Sequence, residues 1–317
     1  MTENTFAIQA EGLVKRYEGD ILAVDGVNLA IPRNTIYALL GPNGAGKTTT
    51  ISMLTTLIEP TSGSALICGL DVVKKAGQVR RCIGVTFQET VLDEDLTGRQ
   101  VLDYHGRLYG QRKAERQEKI AELLTLVELE DAADRAVNTY SGGMKRRLEL
   151  ARGLMTQPEV LFLDEPTLGL DPQNRAGIWD YIRKLKAQHG LTLVLTTHYM
   201  DEAEQMADCV GIIDQGKIMV EGTPRDLINQ MGDDTIRVAG QGDYEQFTAK
   251  LTEIPWVTQA VEGDSMVQVG VDAGNRRLAE VVTLANQLGF TIEDISVAKP
   301  SLGDVFLKYT GRRLRDK

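Results

Sequence analysis

Three cysteines in 317 residues, Cys68, Cys82 and Cys209, are too few and too scattered for a disulfide framework, and no Cys-X-X-Cys pair offers a structural zinc site. Such sparse thiols are expected of a chain kept in a reducing compartment. Long apolar runs are missing as well. The most apolar short stretch, Leu191 to Leu195, ends at polar Thr196, Thr197 and His198, far short of the ~20 apolar residues of a bilayer span. The opening Met-Thr-Glu-Asn has neither the positive region nor the apolar core of a secretory signal, so a cytoplasmic location is expected. Positive charge is also in deficit. Lys and Arg number 35 against 45 Asp and Glu, a net charge of −10, which argues against broad electrostatic capture of nucleic acid, and no nucleic-acid partner is expected. No low-complexity linker and no solenoid-type repeat breaks the chain. What remains is 42% hydrophobic and 25% charged, enough to bury a sizeable core in about two domains.

Boundaries must therefore come from pattern. Alternating apolar residues predict antiparallel strands over 7–14 and 21–31, and a short buried strand over 35–40. A Gly-rich turn then opens a helix near Gly46. Further strands are expected at 65–68, 82–86, 160–163, 192–196 and 210–213, with a charged helical insertion from about 98 to 130 and a helix over 175–188. That alternation predicts a largely parallel sheet covered by helices on both faces. Past Met231 the Gly-rich motifs stop, and the pattern becomes β-α-β-β-α-β: strands at 235–238, 256–261, 266–271 and 292–297, helices at 244–251 and 276–288. This is the order of a ferredoxin-like module.

Chemistry concentrates in three segments. Gly41-Pro42-Asn43-Gly44-Ala45-Gly46-Lys47-Thr48 fits GxxxxGK[ST] between an apolar strand and a helix, the setting in which backbone N–H groups cradle phosphates. Lys47 is placed to reach the β- and γ-phosphates, and the Thr48 hydroxyl to ligate Mg²⁺. The run Val160-Leu-Phe-Leu-Asp164-Glu165 delivers two carboxylates at a strand's C-terminal end, where α/β sheets bind ligands. Asp164 is assigned to the Mg²⁺ shell. Glu165, expected to point to the other face by strand alternation, is assigned to the water that attacks the γ-phosphate. Third, Ser141 reads as an N-cap, followed by Gly142 and Gly143 with free N–H groups and by a helix whose Leu148, Ala151, Leu154 and Met155 share one face. Such a helix start is a second candidate anion site.

GPNGAGKTT, the lone Gln88, YSGGMKRR, LFLDEP, LGLDP and TTH stand in the order and relative spacing of an ATP-binding-cassette (ABC) ATPase. The resemblance covers about residues 6 to 230. It is narrower for nucleotide-binding subunits of ABC-2-type exporters of the daunorubicin-resistance group, on Thr197-His-Tyr-Met-Asp-Glu-Ala-Glu, the appended C-terminal module and Pro300-Ser-Leu-Gly-Asp-Val-Phe. The resemblance implies an α/β P-loop fold in a domain 1–230 with an antiparallel β-subdomain and a helical subdomain at about 89–156. The small α+β module at 231–317 is then accessory or regulatory.

Residue roles follow from the same resemblance. Tyr17 matches the aromatic on which adenine stacks, with a strand-end core tyrosine as its other reading. Residues 41–48 and Thr49 match the cis nucleotide contacts. Gln88 matches a glutamine that touches Mg²⁺ or the attacking water, joining Thr48 and Asp164 as metal ligands. His198 matches a histidine that contacts the γ-phosphate and steadies Glu165, and Asp171 a loop that contacts the partner subunit. Ser141, Gly142 and Gly143 match the elements that cover the ATP of the opposite subunit. Two departures stand out: Met144 where Gln is common, and LGLD in place of SALD.

The implied activity is ATP hydrolysis with Mg²⁺, coupled by head-to-tail dimerisation, as a homodimer in the economical arrangement or with a paralogous partner, to export of a drug, lipid or glycan-like cargo. The membrane partner is an ABC-2-type permease that docks near Gln88 and residues 98–130, with the chain peripheral on the inner face of the membrane. The alternatives are a soluble ABC ATPase of repair or translation, whose coiled-coil arms or tandem cassettes are not visible here, and a scaffold with vestigial hydrolysis. The basic tail from Arg312 to Lys317 is read as a solvated end or as a lipid or partner contact.

Overall fold

The computed structural model describes residues 5–87, 91–232, 234–263 and 266–311, apart from the side chains of residues 188 and 189. The chain divides into two compact units, one reaching Pro224 and one starting at Arg225. The boundary expected at 230/231 falls inside the second. No described helix is long and apolar enough to cross a membrane.

The first unit opens with long strands β1 (Phe6–Tyr17) and β2 (Ile21–Pro32), followed by β3 (Ile36–Leu40), α1 (Lys47–Leu54), β4 (Ser62–Ile67) and β5 (Leu70–Asp71). Next come α2 (Ala76–Cys82), β6 (Ile83–Thr86), α3 (Gly98–Leu108), α4 (Lys113–Leu126), α5 (Gly142–Leu154), β7 (Val160–Asp164) and α6 (Pro172–His189). It closes with β8 (Thr192–Thr197), α7 (Met200–Met206), β9 (Cys209–Asp214) and β10 (Lys217–Gly222). Strands β2-β1-β4-β5 form an antiparallel sheet in that order. In β2 alternate residues Val27, Leu29 and Ile31 are buried while their neighbours face out, the period expected of a sheet with one wet face. The second sheet runs β10-β9-β3-β8-β7-β6. All of its pairings are parallel except β10 with β9. Every residue of β3, β7 and β8 is buried, which is what helices on both faces of a parallel sheet require.

Register is what assembles the site. Leu40 pairs with Thr197 and Asp164 with Thr196, so β3, β7 and β8 end level. The loop after β3, the carboxylates after β7 and the Thr-Thr-His after β8 therefore emerge at one carboxyl edge. The charged insertion is helical as expected and forms two helices, the chain turning between them at Gly110 in a left-handed conformation (φ 72°).

Helix α8 (Pro224–Asn229) starts at the last residue of the first unit and opens the second, where β11 (Asp234–Gln241), α9 (Tyr244–Thr252), β12 (Val257–Gly263), β13 (Met266–Val271), α10 (Gly274–Gln287), β14 (Thr291–Ala298) and α11 (Leu302–Thr310) follow. Its antiparallel sheet runs β12-β13-β11-β14, the strand order of a ferredoxin-like fold. The core is its own: Ile236, Val238, Val267, Val269 and Val281 gather around Phe247 and Phe290, whose rings stack at 4.7 Å.

Candidate functional site

The loop from Gly41 to Lys47 is built by close approach. A Cβ on Gly41 would lie 2.4 Å from the Ile213 carbonyl oxygen, and one on Gly46 2.6 Å from that of Ala23. Gly44 (φ 79°) and Gly46 (φ 103°) also hold conformations that L side chains rarely adopt. Gly46 caps α1 without any side chain in the way, so the first N–H groups of the helix face the loop's interior. Asn43, Gly44 and Thr48 are exposed, and Pro42 and Thr49 partly so.

Two carboxylates meet this loop. The Thr48 hydroxyl donates to Asp164 Oδ2 at 3.1 Å, and Thr196 Oγ1 donates to the other oxygen of Asp164. Glu165 is not on the opposite face. It follows the last strand residue with a left-handed backbone, φ 45°, so alternation stops one residue before it. Its carboxylate turns to the same side, 3.4 Å from Lys47 Nζ and 3.3 Å from His198 Nδ1. Thr196 Oγ1 fixes the turn by accepting the Glu165 N–H at 2.9 Å.

Lys47 is only 5% exposed. It donates to the Gly41 and Pro42 carbonyls at 2.7 and 3.2 Å. Burial lowers its pKa from the ordinary lysine value, opposed by Glu165 and Asp164. The His198 contact is too poorly aligned for a hydrogen bond, leaving Nδ1 unpartnered among the described groups. Behind it, buried Glu202 accepts from Thr167 at 2.6 Å and Thr197 at 3.1 Å. Burial raises its pKa, against those two hydrogen bonds.

Some expected residues stand apart from this cluster. Tyr17 ends β1, exposed, with Lys15 Nζ 5.5 Å from its ring. It is linked to the loop through β2, where Ile21 pairs with it and Ala23 backs Gly46. Ser141 caps α5 by accepting the Met144 N–H at 3.3 Å. Ser141 and Gly142 are exposed at that helix start, and the described hydrogen bond of the Ser141 side chain stays within α5. A Cβ on Gly143 would meet Asn174 Oδ1 at 2.6 Å. Asn174 in turn contacts Asp171, which N-caps α6 through the N–H groups of Gln173 and Asn174. Those bonds hold the Asp171 carboxyl below the usual range. Gln88 and the basic tail from Arg312 lie outside the described residues.

Thr196 and Arg146 were not singled out by sequence. The first sits in the Thr-Thr-His run, and the pairing of Asp164 with Thr196 is what places it beside the carboxylates. The second pairs locally only with Glu149, three positions on; the backbone carbonyls it holds are 18 to 59 positions away and leave no local pattern. Chemically, the site offers two hard oxygen ligands (Thr48, Asp164), a buried cation, and a carboxylate aimed between that cation and an imidazole. That set suits charge neutralisation and the orientation of water at a phosphoryl group.

Comparison with known proteins agrees with that chemistry. The family model described as "ABC transporter" matches residues 24–168. The chain is 43% identical to the daunorubicin resistance ATP-binding protein DrrA2 of Streptomyces coeruleorubidus, over 97% of this chain and 96% of the relative. It is 41% identical to the daunorubicin/doxorubicin resistance ATP-binding protein DrrA of Streptomyces peucetius, over 100% and 96%. Among solved structures, an ATP-binding cassette captured as a dimer in a post-hydrolysis state with ADP and Pi superposes with a TM-score of 0.62 at 27% identity, covering 68% of this chain and 98% of that one. With full-length relatives and a converged phosphate-binding site in one chain, this protein belongs to the ABC transporter family as an ATP-binding, ATP-hydrolysing subunit.

Proposed function

We propose that this chain energises a membrane exporter of the ABC-2 type. In this reading two copies meet head to tail, and ATP lies between the 41–48 loop of one and the Ser141-Gly142-Gly143 helix start of the other. The observation that carries the proposal is the Glu165 carboxylate held between Lys47 and His198. Tyr17 stacks the base, and residues 41–49 wrap the phosphates. Thr48 and Asp164 would hold Mg²⁺, with Gln88 as a further ligand; the Thr48 and Asp164 oxygens, 3.1 Å apart, suit a small, hard cation that takes few protein ligands. Once bound, the ion would offset phosphate charge. Lys47 is the phosphate-facing cation, Glu165 orients and accepts a proton from the attacking water, and His198 steadies both. Asp171, at the start of α6, faces the partner subunit.

ATP binding then favours the closed pair, and hydrolysis removes the bridge, a population shift that a membrane partner can harness. Docking of that permease against α3 is supported by Leu108, which is 83% exposed, and by exposed Tyr104, Tyr109 and Leu57. In this role the chain sits on the inner face of the membrane. The relatives' resistance to daunorubicin and doxorubicin supports a drug-class cargo. The first unit acts as the ATPase domain, with a helical subdomain at about 89–156, and the C-terminal unit as an accessory or regulatory domain.

Light scattering on purified Glu165→Gln saturated with Mg²⁺-ATP is the direct test. The expected outcome is a persistent dimer that binds ATP without turnover. Monomers under those conditions, alone and beside the permease, would remove the dimer mechanism. Full turnover would remove Glu165 as the water-activating group.

A further inference from the structure

We propose that Arg146, one turn inside the signature helix α5, is a positioning residue for the Glu165 carboxylate, with Glu149 as the counterion that keeps it aimed. This rests on the reading of Glu165 given above.

Arg146 is 5% exposed and Glu149 fully buried. A buried guanidinium that served only to be neutralised would need no more than its carboxylate, and Glu149 Oε2 supplies that at 3.0 Å. Arg146 does more. Its Nε donates to the Pro166 carbonyl at 2.8 Å and one terminal nitrogen to the Asp164 carbonyl at 3.1 Å. These are the carbonyls on either side of Glu165. Between them the backbone is left-handed, a conformation that costs a non-glycine residue ~1–2 kcal/mol and persists only where surroundings impose it. Thr196 holds the Glu165 N–H and the Leu168 N–H donates to the Glu165 carbonyl at 3.2 Å, while the planar guanidinium fixes the carbonyls of the residues before and after it. The turn is what swings the carboxylate from the opposite face of the strand toward Lys47 and His198.

The same side chain reaches the end of β6, donating to the Phe87 carbonyl at 2.6 Å. Glu149 accepts the Val91 N–H at 3.0 Å, and Arg152 donates to the Val91 carbonyl at 2.7 Å. Residues 146, 149 and 152 lie three apart on one face of α5. The helix thus grips the β6 terminus, Val91 and the backbone of the hydrolytic carboxylate through one buried charge network. Burial lowers the Arg146 pKa from the ordinary guanidinium value, and Glu149 and Asp164 oppose it.

The test separates positioning from mere stability. Replacing both charges at once, as Arg146→Met with Glu149→Leu, removes the buried pair together and takes from Arg152, whose side chain is 17% exposed, only a 3.8 Å contact, so the fold is expected to survive. In the full-length chain, KM for Mg²⁺-ATP and binding of a fluorescent ATP analogue should stay near wild type. The kcat for phosphate release should fall about 100-fold, the scale of a misplaced catalytic group. Arg146→Lys, which keeps the charge and some of the carbonyl bonds, should regain part of that loss. Wild-type kcat in the folded double variant would overturn the proposal. Should the double variant not fold, Arg146→Gln decides, again with reduced kcat at unchanged KM expected and wild-type kcat overturning it. Glu165→Gln is assayed alongside. If it turns over normally, the role of Glu165 itself falls; if it is dead while the double variant is active, only the positioning role falls.

Discussion

Lys47, Glu165 and His198 converge although they come from three loops, and each contact makes a separable prediction. Lys47→Ala removes the buried cation from the loop and should weaken Mg²⁺-ATP binding, read as a raised Kd for a fluorescent analogue; unchanged affinity would mean Lys47 does not face the phosphates. At position 165 handedness and acidity can be separated. Glu165→Gly relieves the left-handed backbone and should abolish hydrolysis without loss of stability, whereas Glu165→Val should cost ~1–2 kcal/mol more in urea unfolding. Equal stability of the two variants would show that the turn is relaxed in solution. His105 supplies a pH prediction. It is kept neutral by burial and by Arg152, which push its pKa down to about 4 from 6.5. The unfolded chain therefore binds the proton more tightly than the folded one. The associated stability is complete above pH 6.5 and is lost as pH falls toward 4, by roughly 2–3 kcal/mol. Denaturation midpoints at pH 7 and 4.5 should show that slope in the wild type and a shallower one in His105→Gln.

Among the elements, α5 is the most constrained. Its glycine Gly153 lets strand β6 approach so closely that a Cβ on Gly84 would lie 2.2 Å from the Gly153 carbonyl oxygen. Gly84→Ala should therefore push helix from strand and destabilise by about 1–3 kcal/mol, visible as a lowered Tm. An unchanged Tm would mean that the pair has slack. The helix start is less demanding: Ser141→Ala removes a cap and should cost about 1 kcal/mol of stability. Much of this was legible beforehand. The 41–48 loop, the carboxylates after β7 and the capped start of α5 are local patterns, each carried by a few consecutive residues. So was the β-α-β-β-α-β order beyond Met231, because alternation and helical period change cleanly there. Strand β10 was not foreseen, since Lys217-Ile-Met-Val-Glu-Gly is half exposed and pairs only at the sheet edge. Short α2 and β5 were also missed, having too few residues to show a period. Alternation misplaced Glu165 for a different reason: a tertiary network, not local sequence, sets its backbone.

At the scale of the molecule, two cores imply two unfolding events. Phe247 is fully buried against Phe290 in the second unit, so Phe247→Ala should lower the stability of that unit by about 3–5 kcal/mol. Nucleotide binding by the first unit should be retained. Calorimetry of the full chain with and without ATP would resolve this as one shifted and one unshifted transition; a single shifted transition would show that the units unfold together. The order of the central sheet carries a consequence for biosynthesis. Strand β3, which launches the phosphate-binding loop, has only β8 and β9 as neighbours. Both are translated long after it. On the ribosome the loop thus emerges early but has no scaffold until Asp214 has left the exit tunnel, and the nascent chain must wait, exposed to chaperones, before it can hold its first nucleotide.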